Sequence, residues 1–207
     1  MILKILSVLV LAVVAYFFYR LIIRSVLALY FFKRGNACFN KELYDQAIRY
    51  YDRVLRFSPT FVSALLHRGN AYNRQGDFDN GIADYDWFIE LEPDHSEAYN
   101  NRGIAYAQQG RYDMALGDFD QAISIDPNDV SAHYNRGNAN YHQANYDLSL
   151  LDFEQVIALD PNYAGAYINK GLLLQDKGDE EGARQAFLRA KELGHPDAQF
   201  HLDELDE

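Results

Sequence analysis

The chain has 207 residues, 49% of them hydrophobic and 24% charged, with a formal net charge of −11. That apolar content is too high for a disordered chain, and the acidic excess argues against nucleic acid as a partner. The single cysteine, Cys38, excludes an internal disulfide and a cysteine-built zinc site.

The amino-terminal 27 residues stand apart. Ile5 to Tyr19 carries no charge, and the stretch Ile2 to Ile23, broken only by Lys4 and Arg20, corresponds to about 33 Å of helix, enough to cross a bilayer. Tyr16, Phe17, Phe18 and Tyr19 gather near one end and Arg20 and Arg24 come next, as expected at a membrane–water interface. The expectation is one transmembrane helix over residues 2–23, with residues 1–27 as anchor and juxtamembrane segment. Two other readings stay open. One is a cleaved signal peptide, for which Val13–Ala15 is a weak site and the bulky run after it a poor one; the other is a hydrophobic helix packed on the rest, against which no polar face interrupts Ile5–Phe18. Lys4 and the terminal amine on one side, against Arg20, Arg24, Lys33 and Arg34 on the other, predict residues 28–207 on the cytoplasmic or topologically equivalent side, whereas a signal anchor holding Lys4 inside would place them outside.

No acid precedes Glu42, so residues 28–207 hold 16 basic and 30 acidic groups and a net −14. Such a surface repels anionic headgroups and favours basic partners, and it also serves solubility.

From Ala28 onward a 34-residue period dominates. Gly35, Gly69, Gly103, Gly137 and Gly171 keep it, as do Pro59, Pro93, Pro127 and Pro161. Apolar residues at three- and four-residue spacing predict helices over segments such as Ser96–Gln109 and Tyr112–Ile125. Turn signals fall between helices at Gln75–Asp77, Gln109–Arg111 and Lys177–Asp179, and between repeats at Asp126-Pro127-Asn128 and Asp160-Pro161-Asn162. The copies run 28–61, 62–95, 96–129, 130–163 and 164–197. The third carries Tyr99, Gly103, Tyr106, Ala115, Phe119, Ala122 and Pro127; the second Leu65, Gly69, Tyr72, Gly81, Tyr85, Phe88 and Pro93. The first has Cys38 where Tyr106 stands in the third; the fourth has Asn140 and Ser149, and the fifth has its proline one residue late, at Pro196.

This alternation of bulky, small and aromatic residues with a closing proline resembles the tetratricopeptide repeat family over residues 28–197. The resemblance implies an all-α fold, a right-handed α-solenoid of about five helix-turn-helix repeats, here preceded by the transmembrane helix. Residues 198–207 read as a capping helix with Ala198, Leu202 and Leu205 inward. Within each middle repeat an Arg and an Asp sixteen residues apart, Arg68 with Asp84, Arg102 with Asp118 and Arg136 with Asp152, fall on facing helices and predict ion pairs worth about 0–1 kcal/mol each if exposed.

No catalytic constellation is present: the six histidines show no metal-binding pair within one helix, the Asp-rich turns lack calcium-loop spacing, and no Gly-rich loop ends in Lys-Ser or Lys-Thr. The expectation is therefore no enzyme, no cofactor and no metal. The resemblance places function instead in a concave groove lined by the first helix of each repeat. Carried onto this chain, the groove is rich in amides: Asn36, Asn70, Asn73, Asn100, Asn101, Asn135, Asn138 and Asn169, with Asn40 and Gln108 nearby. Tyr134, Tyr141, Ile104 and Leu172 add apolar footholds, while Arg74, His67 and Lys33 are its basic groups. A ladder of asparagines offers donors and acceptors to the backbone of an extended peptide. A clamp for a chaperone's acidic tail is disfavoured, because Leu66, Ser131 and Asn135 stand where its cations belong. The leading expectation is a membrane-anchored scaffold or adaptor that binds an extended segment of a membrane-complex component, as an assembly factor would. The alternative is a permanent structural subunit, which predicts apolar patches on the outer second helices; Asp52, Asp86, Asp120, Arg53 and Gln121 read instead as a wet face.

Overall fold

The period predicted from sequence becomes a series of helix pairs. The computed structural model describes the backbone from Ile2 to Asp206 and the side chains from Val13 to Asp206. Expectations resting on Lys4, the terminal amine and the side chains from Ile5 to Ala12 lie outside the described residues. Eleven helices and no strand occur among those described, in two compact units, Met1–Pro93 and Asp94–Glu207.

The first unit holds α1 (Ile2–Phe39), α2 (Tyr44–Phe57), α3 (Val62–Gln75) and α4 (Phe78–Leu91), each packed on the next. Helix α1 runs without interruption through Ala28, where the first repeat begins in sequence, because no proline or glycine occurs before Gly35. Its outer part exposes Val13, Val14, Phe17, Phe18, Leu21 and Ile22. Within Val13–Phe39 an 18-residue window reaches a mean hydropathy of 1.6, apolar and long enough to cross a membrane. Beyond Ala28 the same helix becomes a core element. Phe31 stacks on Phe57 at 5.8 Å under the guanidinium of Arg53, and Phe32 packs on Phe61, Tyr51 and His67. Tyr30, by contrast, is exposed.

The second unit comprises α5 (Ser96–Gln108), α6 (Tyr112–Ile125), α7 (Val130–His142), α8 (Tyr146–Leu159), α9 (Ala164–Asp176), α10 (Glu180–Glu192) and α11 (Ala198–Leu205). Helices α5 with α6, α7 with α8 and α9 with α10 form hairpins. Helix α6 packs on α7, and α8 on α9, to stack the hairpins, and α11 closes the end against α10. Ala198 and Leu202 of α11 join Ile168, Ala183, Phe187 and Ala190 in one core, with Leu205 packed against it. The Asp-Pro-Asn segments turn as expected, Asp126 and Asp160 each accepting the backbone N–H of the asparagine two residues on, at 3.0 Å. Asp77, Asp129 and Asp179 cap the starts of α4, α7 and α10 through the N–H three residues on.

The Arg–Asp pairs form, but not on an exposed surface. Asp84, Asp118 and Asp152 are buried, and Arg68 and Arg102 each grip their aspartate through two N–H groups at 2.6–2.9 Å. The 0–1 kcal/mol of a surface pair therefore does not apply. The same row of cations also reaches beyond its own repeats: Arg68 donates to Asp52 at 2.6 Å, Arg136 to Asp120 at 2.7 Å, and Lys170 to Glu154 at 2.8 Å. Asp52 and Asp120, read from sequence as solvating a wet face, are thus links between successive repeats. A second row of links joins Gln75 to Asp45, Gln143 to Asp113 and Lys177 to Asp147. At Asp84 burial pushes the carboxyl above the usual carboxylate range and Arg68 pulls it back. At Arg68 burial lowers the group, and the bonds and charges of Asp84 and Asp52 outweigh it and raise it.

Two consequences are measurable. The turns after α3, α5 and α9 place Gly76, Gly110 and Gly178 at φ between +73° and +80°, whereas the turn after α7 places Ala144 at φ +59°. A Cβ in that left-handed conformation is unfavourable, so Ala144→Gly should stabilise the protein by about 0.5–1 kcal/mol in urea titration despite the added chain entropy. Asp152→Ala deprives Arg136 of its buried partner while leaving it Asp120, and should destabilise by about 2 kcal/mol on the same measurement.

Candidate functional site

The candidate residues fall into two groups with different roles. In the first unit the residue facing the repeat's glycine is tyrosine, and a buried phenol needs a partner. Tyr51 donates its hydroxyl to Asn36 Oδ1 at 2.8 Å, and Tyr85 to Asn70 Oδ1 at 2.6 Å while accepting from Asn73 Nδ2 at 3.1 Å. Both rings are fully buried, and burial pushes the Tyr51 phenol well above its ordinary range. Asn36, Asn70 and Asn73, read from sequence as groove residues, thus each spend a side-chain group on the repeat interior. The sequence held the signal: asparagine precedes tyrosine by fifteen residues in these two repeats. His67 stacks on Phe32, and Lys33 and Arg74 are exposed.

In the second unit the facing residue is phenylalanine, at Phe119, Phe153 and Phe187, which asks nothing of its neighbours. The amides on α5, α7 and α9 instead reach from one first helix to the next. Asn135 Nδ2 donates to the buried Asn100 at 3.0 Å, and Asn169 Nδ2 to Asn138 Oδ1 at 2.6 Å and to the Tyr134 hydroxyl at 3.1 Å. Tyr134 is itself held against Tyr163 and Phe153. Asn101 is half-buried on α5. Helix-to-helix bonding leaves the Oδ1 atoms of Asn135 and Asn169, and the Nδ2 of Asn138, without a protein partner among the described residues.

These groups border two adjoining hollows. One, of about 360 Å³, is lined by Ile104, Ala107, Tyr112, Asn135, Asn138 and His142 among others. The second, of about 170 Å³, shares Asn138 and His142 and adds Tyr141, Phe153, Asn169 and Leu172. The side chain of His142, which lines both hollows, stacks on Tyr112 at 5.2 Å. Tyr141 donates its hydroxyl to Asp176 at 2.5 Å; that bond, with partial burial, pushes the phenol up to about 12. Of the apolar residues singled out from sequence, Ile104 lines the first hollow and Leu172 and Tyr141 line the second. Tyr112 and His142 were missed in the sequence, because Tyr112 opens a second helix and reaches the groove only through the hairpin's crossing. The face combines apolar recesses with spare amide donors and acceptors, and no cluster of three or more metal-ligating side chains occurs among the described residues.

The outer face is less uniformly wet than the sequence suggested. Arg53, Asp86 and Gln121 are exposed, yet so are Met114, Leu148 and Leu151 in the second unit, the two leucines at 55% and 62%.

Family models described as tetratricopeptide repeat match residues 66–130, 130–163 and 153–185, and one described as TPR repeat matches residues 35–76. No curated protein matches the sequence. Among solved structures, one described as the crystal structure of MamA protein is 26% identical, covers 84% of this chain and 95% of its own, and superposes with a TM-score of 0.73. MamA from Desulfovibrio magneticus RS-1 is 22% identical over 81% of this chain and 94% of its own, with a TM-score of 0.75. YrrB, described as a TPR protein with an unusual peptide-binding site, is 19% identical over 86% and 91%, with a TM-score of 0.69.

Proposed function

We propose that this chain, which belongs to the tetratricopeptide repeat family, is a membrane-anchored adaptor that holds an extended segment of a partner protein on the α5–α7–α9 face. The fold is that of interaction scaffolds, which are typically not enzymes. The observation that carries the reading is the pair of adjoining hollows, one bordered by Asn135, the other by Asn169 and both by Asn138, whose bonds along the inner helices use one group of each of these amides. An extended peptide exposes alternating N–H and C=O groups, which such a rim can meet without selecting a sequence, while the hollows take its apolar side chains. The acidic surface of residues 28–207 favours a basic segment.

Helix α1 supplies the anchor in this reading. Its exposed aliphatic and aromatic residues from Val13 to Ile23 have no place in water and continue rigidly into the first repeat. The repeats then lie against the membrane on the cytoplasmic or equivalent side, where the segment of a membrane-complex component is within reach.

Two experiments test this. The full-length protein, purified in detergent, is panned against a displayed library of random peptides. Enriched basic-apolar peptides should bind at least tenfold more weakly to the variant carrying Asn135→Ala, Asn138→Ala and Asn169→Ala, with helical circular dichroism unchanged; equal binding by the variant removes the groove from the account. In native membranes the protein should stay in the pellet through an alkaline carbonate wash, and release into the supernatant would contradict the anchor.

A further inference from the structure

The fourth repeat lacks a ring that its neighbour has. In the third repeat Tyr106 of α5 is buried, with the guanidinium of Arg111 lying 4.5 Å above its ring and that of Arg102 at 5.9 Å; Arg111 also rests on Met114. The positions that correspond in the fourth repeat are Asn140 for Tyr106, Asn145 for Arg111, Leu148 for Met114 and Arg136 for Arg102, each 34 residues on. Both large groups that fill the outer surface beside the arginine are thus replaced by short amides. The space they would occupy is open: a cleft of about 320 Å³ lies between α6, α7 and α8, bordered by Leu116, Asp120, Arg136, Asn140, Asn145, Leu148, Leu151 and Asp152.

We infer that this cleft is a receptor for one aromatic side chain of a partner protein, which takes the place that Tyr106 fills from within in the preceding repeat. The chemistry of the walls supports an aromatic rather than an aliphatic guest. Arg136 is fixed by Asp152 and Asp120, so its guanidinium plane is held for stacking as Arg102 is held over Tyr106. Asn140 is buried at the floor with its Nδ2 on Asp152, and its short side chain is what leaves room for a ring. Leu148 and Leu151 stand at the mouth, more than half exposed, an apolar rim that a ring would cover. The cleft is on the outer surface, away from the amides of α5, α7 and α9, and so does not depend on the peptide groove.

The test uses p-cresol, the tyrosine side chain as a free molecule, titrated into the full-length protein in detergent with leucine methyl groups labelled for NMR. Saturable shifts at Leu116, Leu148 and Leu151, distinct from the linear drift of anchor leucines as cresol enters the micelle, are expected. Asn140→Tyr fills the cleft from inside, as in the third repeat, and should abolish them. If that variant does not fold, Leu151→Glu, at an exposed position, should weaken the shifts at Leu116 and Leu148 at least fivefold. Absence of saturable shifts up to the solubility of cresol overturns the inference, as does saturation unchanged in a folded variant.

Discussion

Each repeat depends on one close approach, the crossing of its two helices at a glycine. A Cβ built on Gly35, Gly69, Gly103, Gly137 or Gly171 would lie 2.3–2.9 Å from the ring of Tyr51, Tyr85, Phe119, Phe153 or Phe187 respectively. Carbon atoms do not approach so closely, so the ring sits flat against bare backbone and the hairpin closes around it. All five rings are fully buried. In the three middle repeats the arginine one residue before the glycine and the aspartate one before the ring are thereby brought together, which is why the ion pairs recur with the same period as the crossing.

The identity of the facing ring then decides what the repeat interior asks of its amides. A tyrosine hydroxyl buried at the crossing draws an asparagine inward, as at Asn36 and Asn70, whereas a phenylalanine leaves the amides of the inner helices to bridge one another. A single oxygen atom per repeat therefore decides whether the ring at the crossing hydrogen-bonds with a neighbouring amide. A similar small change operates on the outer side, where the loss of a ring at Asn140 opens a cleft that the third repeat fills with Tyr106.

Charge contributes by position more than by sum. The excess of acids looks from composition like a solvating coat, yet Asp52 and Asp120 are links from one repeat to the next, and Asp84, Asp118 and Asp152 lie inside. Buried carboxylates survive because each meets a guanidinium through more than one N–H, which offsets much of the cost of leaving water. The uninterrupted helix α1 adds a mechanical constraint: no flexible tether separates its apolar outer part from the first hairpin.

The 34-residue period, the glycines and the prolines were enough to determine from sequence alone the family and the all-helical fold of the repeats, since these are local properties repeated until chance is excluded. The sixteen-residue Arg–Asp spacing likewise predicted contacts within a repeat. Only the tertiary structure decided how the amides of α5, α7 and α9 bridge one another, that arginines bridge between repeats, and that a cleft lies beside Asn140. Each of those depends on atoms brought together from different helices, where a hydroxyl or a few ångströms of missing side chain changes the partner without changing the pattern along the chain.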